Sequence, residues 1–511
     1  MMFVQNTIIK RHSVAVRNQN ICCLYTKMTR VLFCGTHPDQ YNGYSKVVFE
    51  LASYLSIQPD IDLHIFGFQN YYQNEEHRRE RFLKNVTIYD AHKNEEPKSK
   101  GFGFLLIKDY VLKTKPDIVI IYNDLVVING LLDELIKIEN RKFKIVPYID
   151  VVYKNEKNNL IQKINHYSDA GIMFTNYWKQ VLHFQGFNKP SYVLEHGFNR
   201  MLYYPVEQSL ARKYFKLSPN DFIIMNLNRN QPRKRWDICM MAFVKFISTR
   251  MDSNIKLLVA TSLQGGWDLS DVIISETRKY NVTIDDFKKH LIVIKRPQQM
   301  SDFEINILYN VADVGLNTCD GEGFGLCNFE QAGVGVPQII PNVGGFKDFF
   351  NKTNSMIISP VYSYYCDHSR DYVSGEAEIC SVNDYVQALE TYYTNLELRM
   401  EHGKNSRKNI LSKYTWASKG EILYRIIKNE TRHLNNKMNS SLEILHEDGD
   451  DEVEHVEDYQ KPNEIVNEET VNGEDGEKGI STINDQQKQL SIDEMTPEQM
   501  KEALRKLLKT T

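Results

Sequence analysis

Short apolar runs recur along the chain, and the stretches between them carry apolar residues at helical spacing. The run Val31-Leu32-Phe33-Cys34-Gly35 breaks into Thr36-His37-Pro38-Asp39 and a turn at Asn42-Gly43. Val47, Val48, Leu51, Ala52 and Leu55 then mark one face of a helix, before the next run, Leu63-His64-Ile65-Phe66-Gly67. Strand, glycine-containing loop, helix and strand in that order predict an αβα layer. Runs at 86–89, 117–121, 143–147, 171–174 and 192–194 continue it. Several are apolar on both faces, which fits a parallel sheet covered by helices.

The pattern restarts at Phe222-Ile223-Ile224-Met225-Asn226-Leu227, with further runs at 256–259, 291–294, 314–317 and 338–340. Helical stretches at 237–246 and 303–311 separate them. The expected fold class is therefore α/β, with two Rossmann-like αβα domains, 28–200 and 201–415, facing across a cleft. A helical segment at 416–437 should pack on the body. Residues 1–27 read as a disordered leader, 438–490 as an acidic disordered linker and 491–511 as a short amphipathic helix opened by Thr496-Pro497-Glu498-Gln499. Ligands of such sheets bind beyond the carboxyl ends of the strands, here between the domains.

Charge adds an asymmetry. The net of -4 includes a segment, 441–478, with 15 acidic residues and two lysines, so the rest of the 511-residue chain carries about +9. A basic body suits nucleotide diphosphates or an anionic membrane face, so peripheral membrane contact is one expectation. No basic stripe interleaved with aromatics points to nucleic acid. Eight scattered cysteines lack C-x-x-C spacing, which suggests reduced thiols and a cytoplasmic setting. The acidic tail and terminal helix would suit a protein partner.

Candidate chemistry lies in two loops. Asp320-Gly321-Glu322-Gly323-Phe324-Gly325-Leu326-Cys327-Asn328-Phe329-Glu330 follows an apolar run and leads into a helix. Glycines let backbone approach a ligand, and amides at a helix start favour negative charge. Glu322 and Glu330 can each accept two sugar or ribose hydroxyls. The second loop, Asn228-Arg229-Asn230-Gln231-Pro232-Arg233-Lys234-Arg235, follows the first strand of the second domain and could offset a diphosphate leaving group. A tight turn and a solvated basic loop are the plainer readings of these two segments.

Glu322 and Glu330, with Gly323-Phe324-Gly325-Leu326 between them, resemble the E-x7-E signature of family-four retaining glycosyltransferases, the glycogen-synthase-like and mannosyltransferase-like group with the GT-B fold. Glu195-His196-Gly197-Phe198-Asn199 resembles the family's interdomain element, and Arg229 and Lys234 have its Arg-x4-Lys spacing. The resemblance covers about 30–430 and is specific in the second half. It implies that Arg229 and Lys234 contact the donor diphosphate and that Glu330 holds the ribose. Glu322 would contact the transferred sugar, with the amides of Phe324, Gly325 and Leu326 seating sugar and phosphate. Gly43 stands where the family usually has paired glycines facing the phosphates. Where the family carries histidines, this chain has Tyr122-Asn123-Asp124 and Tyr148-Ile149-Asp150. Asp124 and Asp150 thus become acceptor or sugar contacts, although Asp150 is also suited to capping the loop after it, and His196 joins them through its place at the domain junction.

The implied activity is transfer of a sugar, with retention, from a nucleotide sugar to a hydroxyl acceptor on a glycan, lipid or protein, with no metal or cofactor. Lys234→Ala should then lower transfer by orders of magnitude and leave the fold intact. A sugar-nucleotide epimerase, a phosphorylase and a non-enzymatic scaffold share the two-lobed pattern.

Overall fold

The computed structural model describes residues 28–71, 79, 82–96, 100–250, 254–367, 369–370 and 373–443. The expected leader, most of the acidic linker and the terminal helix lie outside these residues.

The first lobe is a seven-stranded sheet, β1 (Thr29–Thr36), β2 (Ile61–Phe68), β3 (Val86–Asp90), β4 (Ile118–Asp124), β5 (Lys144–Asp150), β6 (Gly171–Met173) and β7 (Ser191–Val193). Its order is β3-β2-β1-β4-β5-β6-β7, and every pairing is parallel. Val31, Leu32, Phe33 and the β4 run Ile118, Val119, Ile120 and Ile121 are fully buried, as strands covered on both faces require.

The second lobe repeats the plan with β8 (Phe222–Asn226), β9 (Ile255–Val259), β10 (Leu291–Val293), β11 (Val314–Leu316), β12 (Gln338–Pro341) and β13 (Met356–Ile358). The order β10-β9-β8-β11-β12-β13 is again wholly parallel. In both sheets the winding reverses beside the first strand, between β1 and β4 and between β8 and β11. Such a switch point opens a crevice at the carboxyl ends of the strands. Both candidate loops leave the second sheet there, one after β8 and one after β11.

Three strands did not emerge from the periodicity. β13 is only three residues long, and β14 (Pro360–Cys366) and β15 (Gly375–Cys380) form an antiparallel hairpin outside both sheets. The chain then returns to the first lobe. In the helix Trp416–Glu443, Glu421 accepts from Tyr54 Oη at 2.6 Å, and Lys428 lies 2.8 Å from Asp60. That helix includes 438–443, assigned from sequence to the acidic linker. The acidic run starts only at its end, and extending an anchored helix adds one backbone bond per residue fixed. Among the described residues no helix is long and apolar enough to cross a membrane.

Candidate functional site

After β11 the chain passes through the glycine loop into the helix Leu326–Gly333. Gly325 has φ 85°, the left-handed region, and a Cβ there would overlap the Phe346 ring, so glycine sets the point where the helix can begin. The first amides of the helix have no intrahelical acceptor. On the other lobe the helix Gly43–Leu55 is capped by Asn42, whose side chain accepts from Ser45 N at 2.8 Å. A Cβ on Gly43 would stand 3.5 Å from Leu326 Cδ2. The starts of two helices from opposite lobes thus meet, and both carry partial positive charge.

Cationic side chains surround this point. Lys234 ends the single turn Pro232–Lys234 after β8 and forms an ion pair with Glu322, the two side chains being 8% and 9% exposed. Arg233 Nη1 lies 3.6 Å from the other Glu322 oxygen and donates to Gly321 O at 3.3 Å. Burial opposes ionisation of Glu322, but the charges of Lys234 and Arg233 outweigh it and hold its pKa below the ordinary carboxylate value. Arg229 is exposed, within electrostatic reach of Arg233, Tyr44 and Glu322. The Lys234 ammonium and the glycine loop are therefore in direct contact through Glu322. Because this pair is buried, removing Lys234 would strand the Glu322 carboxylate and carry a cost in stability.

Glu330 is buried and paired across the lobes. Lys46 Nζ lies 2.7 Å from its Oε1, and Tyr309 Oη donates to Oε2 at 2.9 Å. Lys46 also reaches Tyr203 Oη at 2.5 Å, and Asp302 beside it takes Arg79 at 3.1 Å. Burial raises the Glu330 pKa despite Lys46. No sequence signal joins Lys46 to Glu330, which are 284 positions apart. The only hint was a lysine in the first turn of a helix that follows Gly43.

The remaining candidates separate. Asp124 caps the helix Leu125–Leu135 by accepting from Val127 N at 2.9 Å, so the capping role weighed for Asp150 falls to Asp124. Asp150, at the end of β5, accepts from Tyr44 Oη with one oxygen. Its other oxygen is buried without a hydrogen-bond partner and lies against Gly323, where a Cβ would collide with it. Burial pushes the Asp150 pKa up to about 6. His196 is 3% exposed, bonded to Tyr148 Oη at 3.1 Å and packed 4.4 Å from the Phe324 ring. Burial, then Lys419, depresses its pKa to about 3. A sugar contact does not fit so enclosed a ring; His196 packs the junction of the lobes. The Phe324 side chain is equally buried, leaving only its backbone to face a ligand. Trp178 Nε1 donates to Gly323 O at 2.7 Å, and Tyr153 Oη to Asp320 at 2.9 Å, so the first lobe grips the loop at several points that sequence reading missed. Among the described residues no three His, Cys, Asp or Glu side chains converge in a way that could hold a metal ion.

No family model matches the chain. A stretch of 154 residues is 26% identical to D-inositol 3-phosphate glycosyltransferase from Rhodococcus erythropolis, covering 30% of this chain and 33% of that protein. The chain thus spans about a third of the length of the curated relatives it matches. Among solved structures, sucrose-phosphate synthase from Thermosynechococcus elongatus is similar over 78% of this chain and 98% of its own, with a TM-score of 0.59 and 14% identity. Anabaena HepE in complex with UDP-glucose is similar over 78% and 99%, with a TM-score of 0.58 and 12% identity. The shared architecture is the GT-B fold, two Rossmann-like lobes facing a cleft.

Proposed function

We propose that this GT-B chain is a retaining glycosyltransferase that transfers a sugar from a nucleoside diphosphate donor to a hydroxyl acceptor. The observation that carries the reading is the meeting of two helix starts, Gly43 and Leu326, beside the Lys234–Glu322 pair. A diphosphate seated there meets backbone amides from both lobes and the cations Arg229, Arg233 and Lys234. As the bond from the anomeric carbon to the diphosphate oxygen breaks, negative charge grows on that oxygen. Lys234, buried beside Glu322, and Arg229 at the cleft surface neutralise it. Glu322, held ionised by its cations, receives hydroxyls of the transferred sugar. The departing phosphate takes the acceptor's proton on the same face, which gives retention without a covalent enzyme intermediate. The Asp150 oxygen without a partner would accept a sugar or acceptor hydroxyl only after the glycine loop, which now covers it at Gly323, has shifted. Glu330 binds the ribose once Lys46 has exchanged partners, and Lys46 is then free to turn toward phosphate. The UDP-glucose in the HepE structure makes uridine nucleotides the first donors to try.

One observation favours a second reading, a nucleotide-sugar-fold scaffold without turnover: Glu322 and Glu330 already have internal cations. A panel of nucleotide sugars, scored for protection against thermal unfolding and for release of nucleoside diphosphate, separates the two. Protection with release supports transfer, protection alone supports the scaffold, and neither removes the donor site.

A further inference from the structure

We infer that the second lobe carries a separate binding site for a neutral carbohydrate, in the cavity of about 340 Å³ lined by Arg235, Trp267, Tyr362, Tyr364 and Arg370. Its size is near the lower end of the ~300–1,000 Å³ typical of small-molecule sites, and its lining has the usual form of aromatic walls with a few fixed polar groups.

Three separate stretches build it: the turn after β8, the loop after β9 and the hairpin β14–β15. Trp267 is fixed before any ligand arrives. Its backbone N donates to Asn230 Oδ1 at 3.0 Å, its carbonyl accepts from Asn230 Nδ2 at 2.8 Å, and its indole N–H donates to Pro232 O at 3.1 Å. With the indole N–H committed, the ring can offer a ligand only its apolar surface. Arg235 lies over that ring at 5.8 Å, and Arg370 over Tyr364 at 5.8 Å.

Charge selects the ligand class. Arg235 pairs with Asp237 through bonds of 2.9 and 2.7 Å, and Arg370 with Asp320 at 2.6 Å. Both carboxylates are buried, Asp237 at 7% and Asp320 at 1% exposed, so each guanidinium is balanced from behind. No excess positive charge remains for a polyanion, unlike the cleft at Lys234. Arg235 Nη1, 3.7 Å from Asp320, makes no hydrogen bond that the paired carboxylates require and can donate into the cavity. Aromatic surface, a spare N–H donor and balanced charge fit a pyranose, which has apolar C–H faces and a rim of hydroxyls.

The hairpin points the same way. β14 is its outer strand and exposes Val361, Tyr362 and Tyr365 by 59%, 58% and 64%. Tyr362 and Tyr364 share a strand face and line the cavity, whereas Val361 and Tyr365 do not line it. The hairpin also touches both lobes, since Glu376 N donates to Lys154 O at 2.7 Å and Glu378 N to Asp320 O at 2.9 Å. Asp320 directly precedes Gly321-Glu322, so the cavity lies behind the loop that holds the candidate donor pair.

The test is titration of the full chain with maltotriose, cellotriose and chitotriose, with tripolyphosphate as the charged probe. Tryptophan emission is the readout, because Trp178, Trp236 and Trp416 are at most 8% exposed while Trp267 lines the cavity. At least one trisaccharide should shift emission saturably, with a Kd on the order of 1 mM. Tyr362→Ala, at an exposed position, should weaken that binding by about tenfold or more while leaving the urea midpoint and protection by UDP as in the parent. The inference is overturned if no trisaccharide perturbs emission, if tripolyphosphate alone does, or if binding survives Tyr362→Ala unchanged. Trisaccharide binding does not depend on donor turnover: its persistence in a protein that binds no nucleotide sugar would retire the transferase reading and leave this site standing.

Discussion

Lys234→Met puts the candidate chemistry under the most direct strain. The side chain is 8% exposed and its partner Glu322 is 9% exposed, so the substitution strands a carboxylate inside the protein. Breaking a buried pair in this way costs about 3–5 kcal/mol. Arg233, 3.6 Å from the second Glu322 oxygen, remains as partial compensation, which places the expectation at the lower end, about 3 kcal/mol. Urea unfolding at pH 7 reads this as a lowered midpoint with unchanged slope. The double variant Lys234→Met/Glu322→Gln removes both charges and should return to within about 1 kcal/mol of the parent. Transfer behaves differently. Losing a preorganised cation at the leaving group costs about 10²–10³ in turnover, and the double variant should recover stability without recovering activity. A single variant with parental stability would show that the pair is solvated. A double variant with parental turnover would show that Lys234 takes no part in the chemistry.

Asp150→Asn should stabilise the protein at neutral pH. The carboxyl titrates at about 6 when folded against 3.8 as the ordinary value, so the folded state keeps a proton that the unfolded chain has lost. Stability therefore falls as pH rises from about 4 to about 6, by at most about 3 kcal/mol for this group. The variant should gain that much at pH 7 and nothing at pH 4, and equal gains at both pH values would contradict the assignment. Gly325→Ala combines a φ of 85° with overlap on Phe346 and should cost about 1–3 kcal/mol in urea unfolding, together with loss of UDP protection. Parental behaviour would mean that the helix start is not fixed there. Lys46→Met leaves Glu330 buried with only Tyr309, and should destabilise by about 3 kcal/mol at pH 7 but far less at pH 4, where the raised Glu330 pKa allows a neutral carboxyl. A loss independent of pH would exclude the ion pair as its cause.

The sequence by itself determined the repeated αβα architecture, because apolar period and loop chemistry are local properties. Runs such as 31–35 and 222–227 are apolar on both faces whatever else the chain does, and their recurrence between helical stretches fits a parallel sheet covered by helices. The loop from Gly321 to Gly325 and the basic run from Arg229 to Arg235 were legible for the same reason: each is contiguous, follows a strand and precedes a helical stretch. The hairpin β14–β15 escaped because its tyrosine-rich strand is partly exposed and belongs to neither sheet, leaving no two-faced apolar run to detect.

Tertiary structure alone decided who meets whom. Lys46 and Glu330, Tyr44 and Asp150, and Trp178 and Gly323 come together only when two independently wound sheets close on each other. It also exchanged roles between look-alikes: Asp124 became a helix cap, Asp150 kept a buried free oxygen at the cleft, and His196 turned inward among aromatic rings. Periodicity reports which side of its own element a residue occupies. Burial and partnership across a cleft depend on the packing of elements distant in sequence, and no local pattern carries that information.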